Sequence, residues 1–360
     1  MLFQTLSSDY HKNLIVKATT ILFTLSLGYL GAGLAQLAHL PVPALLGSGI
    51  LLAIIAFTRL PLSMPTLMRN IGFTILGCSM GSSITGEMLA KISQWPLSLL
   101  GLAVTVIVMM ALSTWVLSQY FQQTKNTALL ASTPGALSTV VALASEGKGD
   151  LGTVVVFQSL RLILVMASFP LIIHALGLQG SVHLDVTQQA PLAWHSVPAL
   201  LLTAFASALM LEKIKLPAAY ILSGLVLSGT AHVNGWLSGN LPSSLVTLGF
   251  VIIGCMVGTR LKGMQLSKLR TLFLAATISV ILSSLIAALG ATLMAIALDL
   301  PFGQVWIAYA PGGIEAMAAL ALALHYDPAY IAAHHLSRIV AITLLMPIAS
   351  RLLIEQGKPL

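Results

Sequence analysis

Apolar stretches long enough, or nearly so, to cross a bilayer as helices recur along the whole chain, from Ile15 to Leu353. A hydrocarbon core about 30 Å thick takes roughly 20 consecutive apolar residues in helical form. These stretches are continuously apolar and do not alternate, which predicts helices and not the strands of a membrane barrel. Charge points the same way: 8% of the 360 residues are charged, 57% are hydrophobic, and mean hydropathy is +0.96. A soluble chain carries about 25% charged residues, so this one has too few to coat a water-facing surface. The spans also leave no length for a soluble domain of ordinary size. The net charge of +7 then reads as Lys and Arg retained on one side of a membrane, and direct nucleic-acid binding is not expected. Residues Met1 to Asn13 are mostly polar, and the apolar run after them carries Gly31-Ala32-Gly33. A cleaved signal would have that form, but the run has a counterpart in the second half and is expected to belong to the fold. Cys78 and Cys255 sit inside apolar segments and are neither a disulfide framework nor a metal site.

Internal self-similarity divides the chain. Ile71-Gly72-Phe73-Thr74-Ile75-Leu76-Gly77-Cys78 matches Leu248-Gly249-Phe250-Val251-Ile252-Ile253-Gly254-Cys255. Pro134-Gly135-Ala136 matches Pro311-Gly312-Gly313, Asp150 matches Asp327, Arg161 matches Arg338 and Pro170 matches Pro347, all at one offset. Each half reads as six segments: about 14–39, 43–58, 66–88, 94–118, 127–146 and 151–176, then 196–212, 217–233, 243–260, 271–298, 302–324 and 328–350. If all twelve crossed, the halves would be parallel and many basic residues would lie outside. If the fifth segment of each half is re-entrant, the second half is inverted. Lys12, Lys17, Arg59, Arg69, Lys125, Lys148, Lys213, Lys215, Arg260, Lys262, Lys268, Arg270, Arg351 and Lys358 then fall inside, and only Lys91 falls outside. The expected organisation is a cytoplasmic segment 1–13, a membrane repeat 14–178, an external linker 179–195 and a second repeat 196–353. Both termini are expected to be cytoplasmic, in a multi-pass protein of the bacterial inner membrane. The fold class is all-α polytopic, with two inverted-topology repeats and about ten spanning helices besides the broken ones. Such repeats are typical of secondary transporters, whose substrate sits near the midplane.

Pro134-Gly135 and Pro311-Gly312-Gly313 should break the fifth segments and start new helices. The fresh helix starts would favour an anion; the alternative is a pair of kinks that only permits close packing. Arg161 and Arg338 lie about ten residues into their helices, near the midplane, where an Arg is costly and a functional candidate. Each could bind a carboxylate or phosphate, or hold carbonyls at the broken helix ends. Glu315 follows the second break, with Ser138 as its partner position; it could pair with Arg338, carry a coupling proton or cap a helix. His335 and Gln158 should do one polar job, orienting a ligand or the nearby Arg. Asp150 and Asp327 read as N-caps. Gly77, Gly81, Gly254 and Gly258 form a small-residue packing face. No hydrolase triad, phosphate loop, nucleotide fingerprint or metal-ligand set stands out.

The Pro-Gly breaks, the Gln158-Ser159-Leu160-Arg161 and His335-Leu336-Ser337-Arg338 helices and the Gly-Cys-rich third segment together resemble the duplicated AbrB membrane family of Gram-negative bacteria, distinct from the small DNA-binding protein of that name. Here Ala136 replaces the second Gly of the first break, and His335 replaces the usual Gln. The family's members carry the labels regulator of gene expression and ammonia monooxygenase. The resemblance implies, at fold level, a likeness to inverted-repeat transporters of the cation–proton antiporter and bile-acid-symporter kind. The reading is a secondary transporter for a small anionic solute, with Pro134, Gly135, Ser138, Gln158, Arg161, Pro311, Gly312, Gly313, Glu315, His335 and Arg338 at the site. Its partners would be the solute and the lipid bilayer, with a homo-oligomer left open, and no cofactor or metal. The alternatives are a membrane-embedded sensor acting indirectly on expression and, last, a membrane monooxygenase.

Overall fold

The structure, a computed structural model, describes residues 2–84, 88, 91–178 and 191–356; the side chains of residues 2–15, 91, 94, 138, 315 and 347–356 lie outside that description. Among the described residues the chain is helical, with one isolated bridge between Pro191 and Asn240 and no strand. The first half contains α1 (Leu2–Leu37), α2 (Pro43–Ile55), α3 (Thr66–Gly81), α4 (Trp95–Tyr120), α5 (Lys125–Ser132), α6 (Leu137–Leu143) and α7 (Leu151–Ala175). The second contains α8 (Ser196–Lys213), α9 (Ala219–Val233), α10 (Ser243–Thr259), α11 (Leu266–Leu298), α12 (Phe302–Tyr309), α13 (Ile314–Ala323) and α14 (Pro328–Gln356). The twelve expected segments fall on these helices, with the fifth of each half in two pieces. α1 runs unbroken from Leu2 through the polar residues that follow Met1. The expected external linker 179–195 lies outside the described residues up to position 190.

Local chemistry sets the boundaries. Pro43 opens α2 at the position where its missing N–H costs nothing. Left-handed residues, His39 and Asp299, follow α1 and α11. Thr124 caps α5 by accepting from the Thr127 amide at 3.3 Å, and the Asp150 carboxylate accepts from the Gly152 amide at 2.9 Å at the start of α7. Asp327 accepts from the amides of Ala329 and Tyr330 at 2.9 and 3.1 Å. Both aspartates thus satisfy amides that a helix start leaves without partners.

Six helices are long and apolar enough to cross a membrane by length and composition: α1 from Val16, α4, α7, α8, α11 and α14 up to Met346. The remainder of the expected ten are short. The longest of these, α10, has 17 residues and rises only about 25 Å. Their shortness goes with burial, since α2, α3, α9 and α10 form the packed interior. The outer helices show the opposite pattern. On α11, Leu285, Leu289, Leu293 and Ile296 are each more than half exposed. A stripe of that kind would be a liability in water and matches contact with acyl chains.

The two halves interlock. α3 packs on α9 of the other half and α10 packs on α2, while α3 also meets α10 and α4 meets α11. Glycine makes these approaches possible. A Cβ on Gly224 of α9 would lie 2.6 Å from the Cys78 amide nitrogen of α3, and one on Gly258 of α10 would lie 2.5 Å from the Gly49 carbonyl of α2. In lipid there is little hydrophobic drive between helices, so such backbone contact supplies much of the cohesion.

Candidate functional site

The fifth segment of each half is a hairpin. α5 runs in to Ser132, the chain turns through Thr133-Pro134-Gly135-Ala136, and α6 leads back. The return is complete, because the Asp150 amide donates to the Thr127 hydroxyl at 3.0 Å. In the second half α12 runs in to Tyr309, Ala310-Pro311-Gly312-Gly313 turns, and α13 leads back until the Asp327 amide donates to the Gln304 side-chain oxygen at 3.3 Å. Each hairpin therefore begins and ends at one level. Gly135 takes φ +87 at the first turn, a conformation that glycine adopts without strain.

A broken helix leaves carbonyls without partners. The two arginines take them. Arg161 Nη1 donates to the Thr133 and Ala131 carbonyls at 2.8 and 3.4 Å, and Nη2 to the Gln158 amide oxygen. Gln158 Nε2 donates in turn to the Leu130 and Thr133 carbonyls, both at 3.0 Å. At the matching positions of the other half, Arg338 donates to the Ala310 and Gly312 carbonyls at 2.6 and 2.5 Å and to His335 Nδ1 at 2.7 Å. His335 Nε2 donates to the Ile307 carbonyl at 3.0 Å. A carbonyl only accepts, so Nε2 carries the proton and Nδ1 is the lone pair that Arg338 meets. Histidine and glutamine thus perform one task with different chemistry. Both orient an arginine.

The arginines do hold carbonyls, yet their capacity is not exhausted. Arg161 is 6% exposed and Arg338 3%, and the Nε of each is buried without a hydrogen-bond partner. Among the described side chains neither guanidinium meets a carboxylate. Burying a charge costs several kcal/mol unless partners compensate it. The hairpins also touch each other's half. Arg338, which holds the second turn, lies against Gly135 of the first: a Cβ there would sit 3.0 Å from Nη2 and 3.3 Å from Nε. α14 packs on α5 and α6, and α13 packs on α7.

Pro134, Gly135, Gln158, Arg161, Pro311, Gly312, Gly313, His335 and Arg338 thus gather around the two turns. Ser138 and Glu315 belong to the returning helices α6 and α13, and their side chains lie outside the described set. A neighbouring polar cluster was not foreseen. The Ser98 hydroxyl bonds to the Tyr330 hydroxyl and, at 2.9 Å, to His334 Nε2, and Tyr309 donates to the Ser98 carbonyl at 2.5 Å. His334 Nδ1 donates to the Tyr330 carbonyl at 2.7 Å. Tyr330 and His334 stand one helical turn apart and could have been paired from their spacing; nothing in the sequence singles out Ser98, more than two hundred residues away.

Two cavities adjoin this region. A groove of about 450 Å³ between α4, α5 and α14 is lined almost wholly by apolar side chains and by Arg338. A cleft of about 420 Å³ at the ends of α3, α10 and α13 carries Ser79, Ser82, Ser83, Asn240 and His325.

The family model described as transition state regulatory protein AbrB matches residues 44–354. The chain belongs to this AbrB family. Among its relatives, the Escherichia coli K12 protein named "Putative regulator AbrB" is 26% identical over 333 residues, covering 91% of this chain and 92% of its own. A Bacillus subtilis 168 protein named "Uncharacterized protein YhjN" is 23% identical over 308 residues, covering 79% of this chain and 78% of its own. For this AbrB-family chain, the matched span takes in both hairpins and both arginines.

Proposed function

We propose that this AbrB-family protein is a secondary carrier for a small anionic solute, bound where the two hairpin turns meet. The observation that carries the reading is the pair of buried guanidinium groups, each with a spare Nε–H and neither facing a described carboxylate. An anion at that point would meet the unpartnered Nε–H groups, and a planar guanidinium suits a carboxylate. The start of α13 beside Arg338 adds helix N–H groups and a positive dipole end.

The recurrence of the site's bonds in both halves supports the same reading. The bonds of Gln158, Arg161 and Asp150 recur at His335, Arg338 and Asp327 at one constant offset. A hairpin in the fifth segment gives each half an odd number of crossings, and successive halves then face opposite ways. Basic residues distribute accordingly, with Lys91 the lone exception. Both termini would be cytoplasmic and the membrane the bacterial inner one. The word regulator in a relative's name fits a carrier whose effect on expression is indirect, through the solute it moves.

The test is uptake of small carboxylates into proteoliposomes holding the full chain. Accumulation above empty vesicles is expected, falling at least tenfold in Arg338→Lys and Arg161→Lys, which keep the charge but lose the fork. Uptake unchanged in both variants would remove the site assignment.

A further inference from the structure

The walls of the groove beside Arg338 bear on the kind of anion carried, an inference that rests on the carrier reading above. The groove measures about 450 Å³, within the usual range of about 300–1,000 Å³ for small-molecule pockets. Leu102, Val106, Met110, Ile342 and Met346 line it, and its polar lining comes from Ser337 and Arg338. Its rim residues Ile107 and Leu345 are more than half exposed, so it opens sideways toward the acyl chains rather than along the bundle. At its inner end the Arg338 guanidinium lies close against Gly135, and its Nε–H has no hydrogen-bond partner.

A hydrophilic dianion does not suit these walls. It would surrender its hydration to a surface that offers one charged group and almost no other donors. Acyl chains of bulk lipid would fill the apolar length but offer the Arg338 Nε–H no acceptor. A solute with one anionic head and an apolar body satisfies both parts. We propose that the carried solute is an amphipathic monoanion, its carboxylate or sulfonate head on Arg338 beside Gly135 and its apolar body along α4 and α14, entering laterally from the bilayer. Arg338 would donate its unpartnered Nε–H to the head, and Leu102, Val106 and Ile342 would bury the body, each methylene leaving water or the headgroup zone for a dry wall.

Short fatty acids cross bilayers unaided as neutral acids, so the probes are alkanesulfonates, which stay ionised. Proteoliposomes with the full chain are supplied with labelled octanesulfonate, methanesulfonate or ethane-1,2-disulfonate. The expected result is octanesulfonate uptake at least tenfold above the other two, lost in Arg338→Lys and in Ala103→Trp. Ala103 lines the groove and is exposed, so the indole plugs the space without disturbing the core; an unchanged unfolding temperature checks that. Octanesulfonate uptake that survives Ala103→Trp overturns the groove as its path. Arg338-dependent uptake favouring the disulfonate overturns the amphipathic class while leaving an anion carrier standing. If no sulfonate or carboxylate enters, the carrier reading itself falls.

Discussion

The Arg338 guanidinium of the second half lies against Gly135, the turn glycine of the first, so closely that a Cβ at 135 would meet Nη2 at 3.0 Å. One side chain thus fastens the carbonyls of its own hairpin and the apex of the other. This contact joins the two breaks into a single site.

Gly135→Ala should reduce uptake at least tenfold and lower stability by about 1–2 kcal/mol, the cost of a non-glycine residue in the left-handed region. Gly147 has a similar φ of +83, but a Cβ there would meet no atom within 4 Å. Gly147→Ala should therefore show the same loss of stability with uptake intact. Thermal unfolding alongside transport separates strain from the clash with Arg338.

His335→Gln should leave function and stability near native, because Gln158 makes the equivalent bonds in the other half. His335→Leu leaves an Arg338 N–H without a partner and takes one of its two donors from the Ile307 carbonyl, which keeps the Ala310 amide at 3.3 Å; it should cost about 1–3 kcal/mol. The unfolding temperatures of the two variants test this; an equal drop in both would mean that shape and not hydrogen bonding is what position 335 supplies.

Helix approach predicts a second contrast. Gly224→Ala places a methyl group 2.6 Å from the Cys78 backbone and should abolish a monodisperse product, whereas Gly33→Ala, with nothing within 4 Å, should be silent. Size-exclusion profiles in mild detergent distinguish them.

Asp150 gives a pH prediction outside the spans. The Thr153 hydroxyl, and then Lys268 at 3.2 Å, hold its carboxyl below the ordinary carboxylate range against a modest opposing effect of burial. A depressed folded value stabilises above the unfolded pKa of about 3.9 and is lost as pH falls through the folded value. Asp150→Ala should cost about 1 kcal/mol at neutral pH, the worth of an N-cap. The gap from the native protein should stay constant down to about pH 5 and close only in stronger acid; unfolding temperatures across that range show it.

The sequence was most legible where physics is local. Apolar runs, Pro43, Asp150, Asp327 and the two Pro-Gly pairs mark helices, caps and breaks within a few residues of where they occur. The duplication further exposed Arg161 and Arg338 as partners. What stayed hidden depends on chain segments far apart. That α3 packs on α9 follows from Gly77, Gly81 and Gly224 meeting backbone to backbone, and glycine spacing alone names no partner. The role of His335 emerged only when both ring nitrogens were seen to be bonded, and Ser98 joins His334 and Tyr330 through tertiary placement alone.

Everything proposed for the site requires two hairpins that enter from opposite faces and meet at Arg338. Single cysteines introduced at Lys148, at the base of the first hairpin, and at His325, at the base of the second, test it directly. The native Cys78 and Cys255 are fully buried and should stay silent to a membrane-impermeant thiol reagent. Labelling of position 325 in right-side-out vesicles and of position 148 in inverted ones is the expected result. Both positions labelled from the same face would contradict the inverted arrangement.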